Sequence, residues 1–245
     1  EVIFNIMFLT QTNRNFKKYL DAFTHLVYPI TCEACHGVLD EDEELICSHC
    51  FNELPKTYNW RVEENRVERL FWGKAKIQRA ASFLYFTKGG IVQELLHSLK
   101  YHGKQDIGAL LGNLFAEELL DSHFSGADMI IPVPLHPEKL KLRGYNQCAS
   151  ATKTLSENLG VSYSPELLIR KSHSESQTKL NRYERWKNVD DGFEACSQSE
   201  LEGKHVILVD DVVTTGSTLE ACAQAILSIS NTKVSILTLA VPSPV

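Results

Sequence analysis

The sequence predicts an α/β domain built on a mostly parallel sheet, preceded by a small cysteine module. Three observations carry this. From Ala80 onward, short apolar runs alternate with stretches of helical periodicity. The segment Val206-Ile-Leu-Val-Asp-Asp-Val-Val-Thr-Thr-Gly-Ser-Thr218 runs from a buried-strand pattern through two carboxylates into a hydroxyl-rich glycine loop. Finally, Cys32-x2-Cys35 is echoed, after eleven residues, by Cys47-x2-Cys50.

Length and composition set the frame. The 245 residues allow one medium domain with a small appendage, and 43% hydrophobic against 23% charged residues suits a globular protein with a sizeable core. A net charge of −6 argues against a general nucleic-acid binder. The charge is uneven: residues 139–187 hold ten Lys/Arg against four Asp/Glu, whereas residues 188–220 hold one Lys against eight acids. A basic stretch beside an acidic one suits a magnesium-bound polyphosphate, or else two oppositely charged solvated faces. No run approaches the roughly 20 apolar residues that span a membrane. The first residues lack a basic leader and a small-residue cleavage site, so the expected location is cytoplasmic. Residues 1–27 read as a helical segment or as residues added in expression, 28–60 as the cysteine module and 61–79 as a connector. Residues 80–245 read as the α/β domain. Trp60, Phe71 and Trp72 are expected packing anchors.

Within that domain, Ala81 to Phe86 reads as a strand, and Ile91 to Tyr101 and Ile107 to Leu120 as amphipathic helices. Met129 to Val133 is a short strand bounded by prolines. Asn146 to Leu159 is a helix closed by Gly160. Leu167 to Arg170, His205 to Val209 and Val234 to Ala240 complete the strands. Ligands of such sheets bind outside the carboxyl ends of the strands.

The 206–218 segment carries the chemistry. A helix opening on Thr214-Thr215-Gly216-Ser217-Thr218 turns unpaired N–H groups and its positive dipole end towards one point, where a phosphate fits. Gly216 lets the backbone approach, and the hydroxyls add donors. Asp210 and Asp211 cannot hold that phosphate, but they can accept hydrogen bonds from sugar hydroxyls or help to hold magnesium. An anion cradle beside a diol acceptor suits a ribose 5-phosphate. The alternative is an ordinary strand-to-helix turn with an Asp pair capping the helix.

Two further stretches are basic. Ile131 to Gln147 leaves a strand as a loop delivering Lys139, Lys141 and Arg143, with Gly144 permitting a tight turn; Arg143 could grip a pyrophosphate. Arg170 to Asn188 is long and polar, and is expected to be a lid from Ser172 to Lys187, with Gln177, Arg182 and Arg185 suited to phosphate.

Two Cys-x2-Cys knuckles flanking the acidic loop Asp40–Glu44 fit a structural zinc held by Cys32, Cys35, Cys47 and Cys50. A redox dithiol pair or an iron–sulfur cluster are the alternatives. Cys148, Cys196 and Cys222 are expected to be free thiols.

The 206–218 segment resembles the phosphoribosyl pyrophosphate (PRPP) signature of type I phosphoribosyltransferases. From about Tyr28 onward, the chain resembles the ComF family of competence-associated phosphoribosyltransferase-like proteins. The likeness rests on the four cysteines, Leu99-Lys-Tyr-His-Gly103, Pro132 to His136, Arg143 to Gln147, Gln177 to Asn188 and the PRPP signature. It implies a type I phosphoribosyltransferase sheet with an N-terminal zinc-ribbon-like module. It further implies PRPP bound with magnesium, its 5-phosphate on Thr214 to Thr218 and its diol at Asp210 and Asp211, the catalytic candidates. Arg143, Arg182 and Arg185 would contact pyrophosphate. In some bacteria the family has a role in DNA uptake. The implied activity is transfer of ribose 5-phosphate to an unidentified base. The alternative is a non-catalytic factor that holds PRPP or single-stranded DNA and works with competence proteins.

Overall fold

The computed structural model describes residues 29–171 and 192–244. The N-terminal segment 1–27 and the expected lid, Ser172 to Lys187 with Gln177, Arg182 and Arg185, lie outside the described residues. The chain divides into two compact units, Glu1–Glu53 and Leu54–Val245.

In the smaller unit, Cys32 N–H donates to Gly37 O and His36 N–H to Cys32 O, which closes the first knuckle, with His36 at φ 60°. Asp40–Glu44 forms the turn between the knuckles. Glu43 accepts from Asp40 N–H (3.1 Å) and from both the N–H (2.5 Å) and the hydroxyl (2.6 Å) of Ser48, the first residue of helix α1 (Ser48–Asn52).

In the larger unit, five parallel strands follow the order β1-β7-β6-β2-β3. They are β1 (Ala80–Phe86), β2 (Met129–Pro132), β3 (Ser162–Tyr163), β6 (His205–Val212) and β7 (Lys233–Pro242). The central strands are apolar runs: Val206 to Val209 and Ile236 to Ala240 are buried, as both faces of a covered parallel sheet require. Helices α3 (Ile91–Tyr101), α4 (Gln105–Leu119), α6 (Gln147–Leu159) and α8 (Ser217–Leu227) each bury an apolar face that includes residues such as Leu95, Leu99, Phe115, Leu155 and Ile226. The expectation of an α/β fold with a mostly parallel sheet is met.

Several boundaries and elements differ from the sequence reading. Strand β6 does not stop before the acidic pair. Asp210 pairs with Thr238 and Val212 with Ala240, because the ladder to β7 continues past the carboxylates. Strand β4 (Leu168–Arg170) stands outside the main sheet and pairs antiparallel with β5 (Phe193–Ala195), which the short helix α7 (Gln198–Leu201) follows. The expected basic loop after β2 is a helix, α5 (Pro137–Arg143). His136 Nδ1 caps it through Glu138 N–H at 3.3 Å, Pro137 occupies its first turn, and Gly144 (φ 77°) closes it.

The stretch 61–79 is folded into the larger unit. Helix α2 (Arg66–Arg69) starts from a capping box of Asn65 and Glu68. Asn65 Nδ2 also donates to Ala80 O at 2.8 Å, and Glu68 accepts from Arg79 Nε at 2.6 Å. Upstream, Lys56 bridges antiparallel to Leu84, Thr57 N–H donates to Phe83 O and Tyr85 N–H to Pro55 O, so this segment covers the exposed edge of β1. Trp60 and Phe71 are buried anchors. Trp72 is not: it is 57% exposed, with the Arg69 guanidinium 5.7 Å from its ring.

Helices α4 and α6 cross at glycines. A Cβ on Gly112 would lie 2.6 Å from Ala151 O and 3.0 Å from its Cα, both backbone atoms that cannot rotate away. Gly112→Ala is therefore expected to destabilise the fold by about 1–3 kcal/mol, read as a lower melting temperature. An unchanged melt would show that the helices can part without cost.

Candidate functional site

The candidate site forms where β6 leaves the sheet. Val213 N–H donates to Ala240 O, and the chain then turns through exposed Thr214 and Thr215 into α8. Gly216 is the N-cap at φ 81°, a conformation that side chains resist. It is also packed tightly: a Cβ there would lie 3.2 Å from Phe71 Cε1 and 3.6 Å from Leu70 Cβ. The 61–79 stretch thus supports the loop from beneath. Thr215 Oγ1 lies 3.0 Å from Ser217 Oγ and 3.4 Å from Ser217 N. Apart from the Ser217 N–H, which donates to Thr215 Oγ1, the first turn has no side-chain cap from Gly216, and Thr214, Thr215, Ser217 and Thr218 are exposed, so the dipole and the remaining donors face an incoming anion.

Asp210 and Asp211 sit immediately before this loop. Asp210 Oδ1 accepts from Asp211 N–H at 2.9 Å and from the Cys148 thiol at 3.5 Å. Asp211 is 7% exposed, and its Oδ2 faces the Lys100 ammonium at 2.8 Å. This contact is an ion pair without the angle of a hydrogen bond, since Oδ2 is buried with no hydrogen-bond partner. Each carboxylate therefore has one oxygen engaged within the protein. Neither Asp210 Oδ2 nor Asp211 Oδ1 has a hydrogen-bond partner among the described residues. Two consecutive residues thus each keep an acceptor, the chemistry by which hydroxyl groups are recognised.

Burial first, and then the neighbouring Asp211 charge, push the Asp210 carboxyl up to about 7, against the pull of the Asp211 N–H, the Cys148 thiol and Lys100. Cys148 itself is buried at the start of α6, and burial together with the two aspartates holds its thiol well above the usual range. Its sulfur and the two carboxylates lie within 4.8 Å of one another. A soft, protonated thiol is a poor ligand for a hard cation such as magnesium, so this trio does not fit as a magnesium cradle.

The Arg143 turn converges on the same place. Asn146 caps α6 through Cys148 N–H (3.0 Å) and ties back to Val133 O (2.9 Å). Arg143 Nη1 donates to Gln147 Oε1 at 2.8 Å, and its guanidinium lies 5.1 Å from the Tyr101 ring. The Tyr145 hydroxyl donates to Leu99 O. Lys139 and Lys141 are exposed on α5. The structure thus brings Asp210, Asp211, the Thr214–Thr218 loop and Arg143 into one region. Sequence reasoning missed Lys100, Cys148 and the support from Phe71. Leu99-Lys-Tyr-His-Gly103 carried a signal as a motif, with no chemistry attached to it.

In the smaller unit, the four sulfurs of Cys32, Cys35, Cys47 and Cys50 all lie within 4.8 Å of one another, and Cys35 Sγ is 3.8 Å from Cys47 Sγ. A tetrahedron with metal–sulfur bonds of about 2.3 Å has edges of about 3.8 Å, so the sulfurs fit a shared metal. Cys32 Sγ accepts from Ala34 N–H (3.4 Å) and Cys47 N–H (3.3 Å). Burial raises the Cys32 pKa, but backbone N–H groups of Cys47, Cys35 and Ala34 outweigh it and bring the thiol down to about 7. His36 and His49 are exposed and stand outside the four-sulfur group. All seven cysteines are free of disulfides. No helix among the described residues is long and apolar enough to cross a membrane.

Comparison with known proteins agrees with this geometry. The family described as "Phosphoribosyl transferase domain" matches residues 152–242, which include the acidic pair and the α8 loop. That segment is therefore similar to a phosphoribosyl transferase domain. It is 32% identical over 137 residues to the DNA utilization protein YhgH of Salmonella typhi, covering 54% of this chain and 60% of that protein. It is also 26% identical over 200 residues to the competence protein ComFC of Bacillus subtilis, covering 80% and 77%. Among solved structures, the glutamine PRPP amidotransferase of B. subtilis is similar at a TM-score of 0.42 and 20% identity, covering 58% of this chain and 30% of that one. With the four clustered cysteines, the relatives bear out the resemblance to the ComF family. The matched region spans about three fifths of the YhgH chain.

The Asp210 environment has a consequence for stability. Its folded pKa, about 7, lies above the ordinary carboxyl value of 3.8, so between these pH values the folded state holds a proton that the unfolded state has lost. Wild-type stability should fall across that window as pH rises. Asp210→Asn removes the dependence, so the variant should gain on wild type from pH 4 to pH 7 in pH-resolved melting. A constant difference would contradict this environment for Asp210.

Proposed function

We propose that the Leu54–Val245 unit binds PRPP and transfers its ribose 5-phosphate to an acceptor base with release of pyrophosphate. The observation that carries this is the continuity of β6 with the α8 N-terminus, which sets two unengaged carboxylate oxygens directly before an open anion cradle. The 5-phosphate takes the N–H and hydroxyl donors of Thr214 to Thr218. The ribose hydroxyls donate to Asp210 Oδ2 and Asp211 Oδ1. Arg143, with Arg182 and Arg185 on sequence grounds, meets the pyrophosphate. Magnesium arriving with PRPP would supply charge neutralisation at the leaving group, and the Cys148, Asp210 and Asp211 trio would not be its cradle. As pyrophosphate departs, positive charge develops at the anomeric carbon. The chain's part is then to stabilise the leaving group and to exclude water. Asp210, whose carboxyl is held near 7 by burial and the Asp211 charge, would be the group that exchanges a proton with the acceptor.

For the smaller unit, zinc is the metal that the four thiolates suit best. A closed set of four sulfurs leaves no open coordination position, so its role is structural. Seven unbridged thiols favour a reducing compartment, the cytoplasm.

A second reading draws on the relatives' names, which attach them to DNA utilization and competence. On this reading the site holds PRPP, or the phosphates of single-stranded DNA, without transfer. A screen of bases for pyrophosphate release separates enzyme from binder, and salt-dependent retention of single-stranded DNA tests the nucleic-acid arm.

Two outcomes are expected. Asp211→Asn should keep the fold and weaken PRPP binding by about 1.5–3 kcal/mol, the cost of one charge-assisted hydrogen bond; an unchanged titration removes the acidic pair from the site. Elemental analysis of protein purified without added metal should find about one zinc per chain, and Cys47→Ser should lower it. Bound iron, or no metal, would sink the zinc assignment.

A further inference from the structure

Lys100 is the last residue but one of α3, and its ammonium lies 2.8 Å from Asp211 Oδ2. Both partners are largely buried, the lysine side chain at 22% exposure and the aspartate at 9%. A buried ion pair is a weak source of stability, because desolvation offsets much of its attraction, and an apolar pair of the same volume often serves a fold as well. This one stands at the acidic pair, not in the core of the sheet. The residues on either side of Lys100 are also committed to the site. Leu99 O accepts from the Tyr145 hydroxyl, and the Tyr101 ring carries the Arg143 guanidinium at 5.1 Å. Three consecutive residues at one helix end thus reach the acidic pair and both ends of the Arg143–Tyr145 turn.

Resting on the PRPP-binding reading, we propose that Lys100 is a positioning residue for Asp211: it holds one carboxylate oxygen so that the other stays fixed and aimed at a ribose hydroxyl. The physical need is plain. Two adjacent aspartates repel each other and can each swing about χ1 and χ2, and a diol acceptor works only if both unengaged oxygens stay in register. Asp210 is steadied through Oδ1 by the Asp211 N–H and by Cys148. Asp211 has Lys100 in the corresponding role. The lysine is itself held in place because Leu99 and Tyr101 pin the end of α3 to the Arg143 turn. The same helix end therefore couples the diol acceptors to the cation expected at pyrophosphate, and the lysine acts through Asp211 without touching ligand.

The test is a double-mutant cycle on magnesium-dependent PRPP binding by calorimetry in the full chain. Lys100→Met should weaken binding about tenfold or more, Lys100→Arg should restore most of it, and Lys100→Met combined with Asp211→Asn should bind no more weakly than Asp211→Asn alone. Lys100→Gln gives the same comparison if the methionine variant fails to fold. The proposal is overturned by undiminished binding in the Lys100→Met or Lys100→Gln variant. It is equally overturned by tighter binding, which would make the lysine a competitor of the ligand, or by additive losses in the cycle, which would place Lys100 on the ligand itself. Wild-type protein that fails to bind PRPP sinks the functional reading as well as this one, whereas binding that ignores Lys100 sinks this one alone.

Discussion

Placing two carboxylates side by side at the partly buried end of a strand costs free energy unless each finds compensation. The architecture around β6 is arranged about that constraint. Asp210 is met by a backbone N–H and a buried thiol, and Asp211 by a lysine at the end of another helix. Compensation uses one oxygen of each side chain and leaves the other without a hydrogen-bond partner among the described residues. The same crowding that costs stability thus leaves acceptors on two consecutive residues, directly before a helix N-terminus whose first-turn residues are exposed.

The support for this arrangement comes from parts of the chain with no chemistry of their own. Phe71 and Leu70 close against Gly216, so the phosphate-loop candidate rests on the 61–79 stretch, just after the residues that cover the edge of β1. Asn65 and the Glu68–Arg79 pair lock that segment to the first strand. The close crossing of α4 and α6 at Gly112 sets the position of α6, whose first turn delivers Cys148 and Gln147 to the site. Sheet order does the rest: β6 lies between β7 and β2, so the residues leaving its carboxyl end meet the turn that follows β2.

Much of this was legible in the sequence. Four consecutive apolar residues ending in an acidic pair and a Thr/Gly loop define β6 and the start of α8, because few other arrangements need that order. Two evenly spaced knuckles define the sulfur cluster. The rest was hidden for physical reasons. Aspartates continue a β-ladder as readily as they end one, so the strand ran three residues further than its apolar run. Prolines around residues 132–137 read as a loop, yet Pro137 is also a good first-turn residue, and with His136 and Gly144 it brackets a helix. Lys100 resembles any lysine near a helix end, where solvent exposure is the ordinary outcome; its partner is over a hundred residues away in sequence, and no local pattern announces it. Trp72 shows the reverse case, an aromatic residue whose size suggested burial but which sits beside Arg69 at the surface.

The central claim is that the end of β6 and the N-terminus of α8 form one PRPP site. Amide hydrogen exchange of the full chain, with and without PRPP and magnesium, tests it most directly. The account predicts slowed exchange at the amides of Thr214 to Leu219 and around Asp211, with a smaller effect at the Arg143–Gln147 turn. Exchange that is indifferent to PRPP across Asp210–Leu219, or protection confined to some other part of the chain, would contradict it.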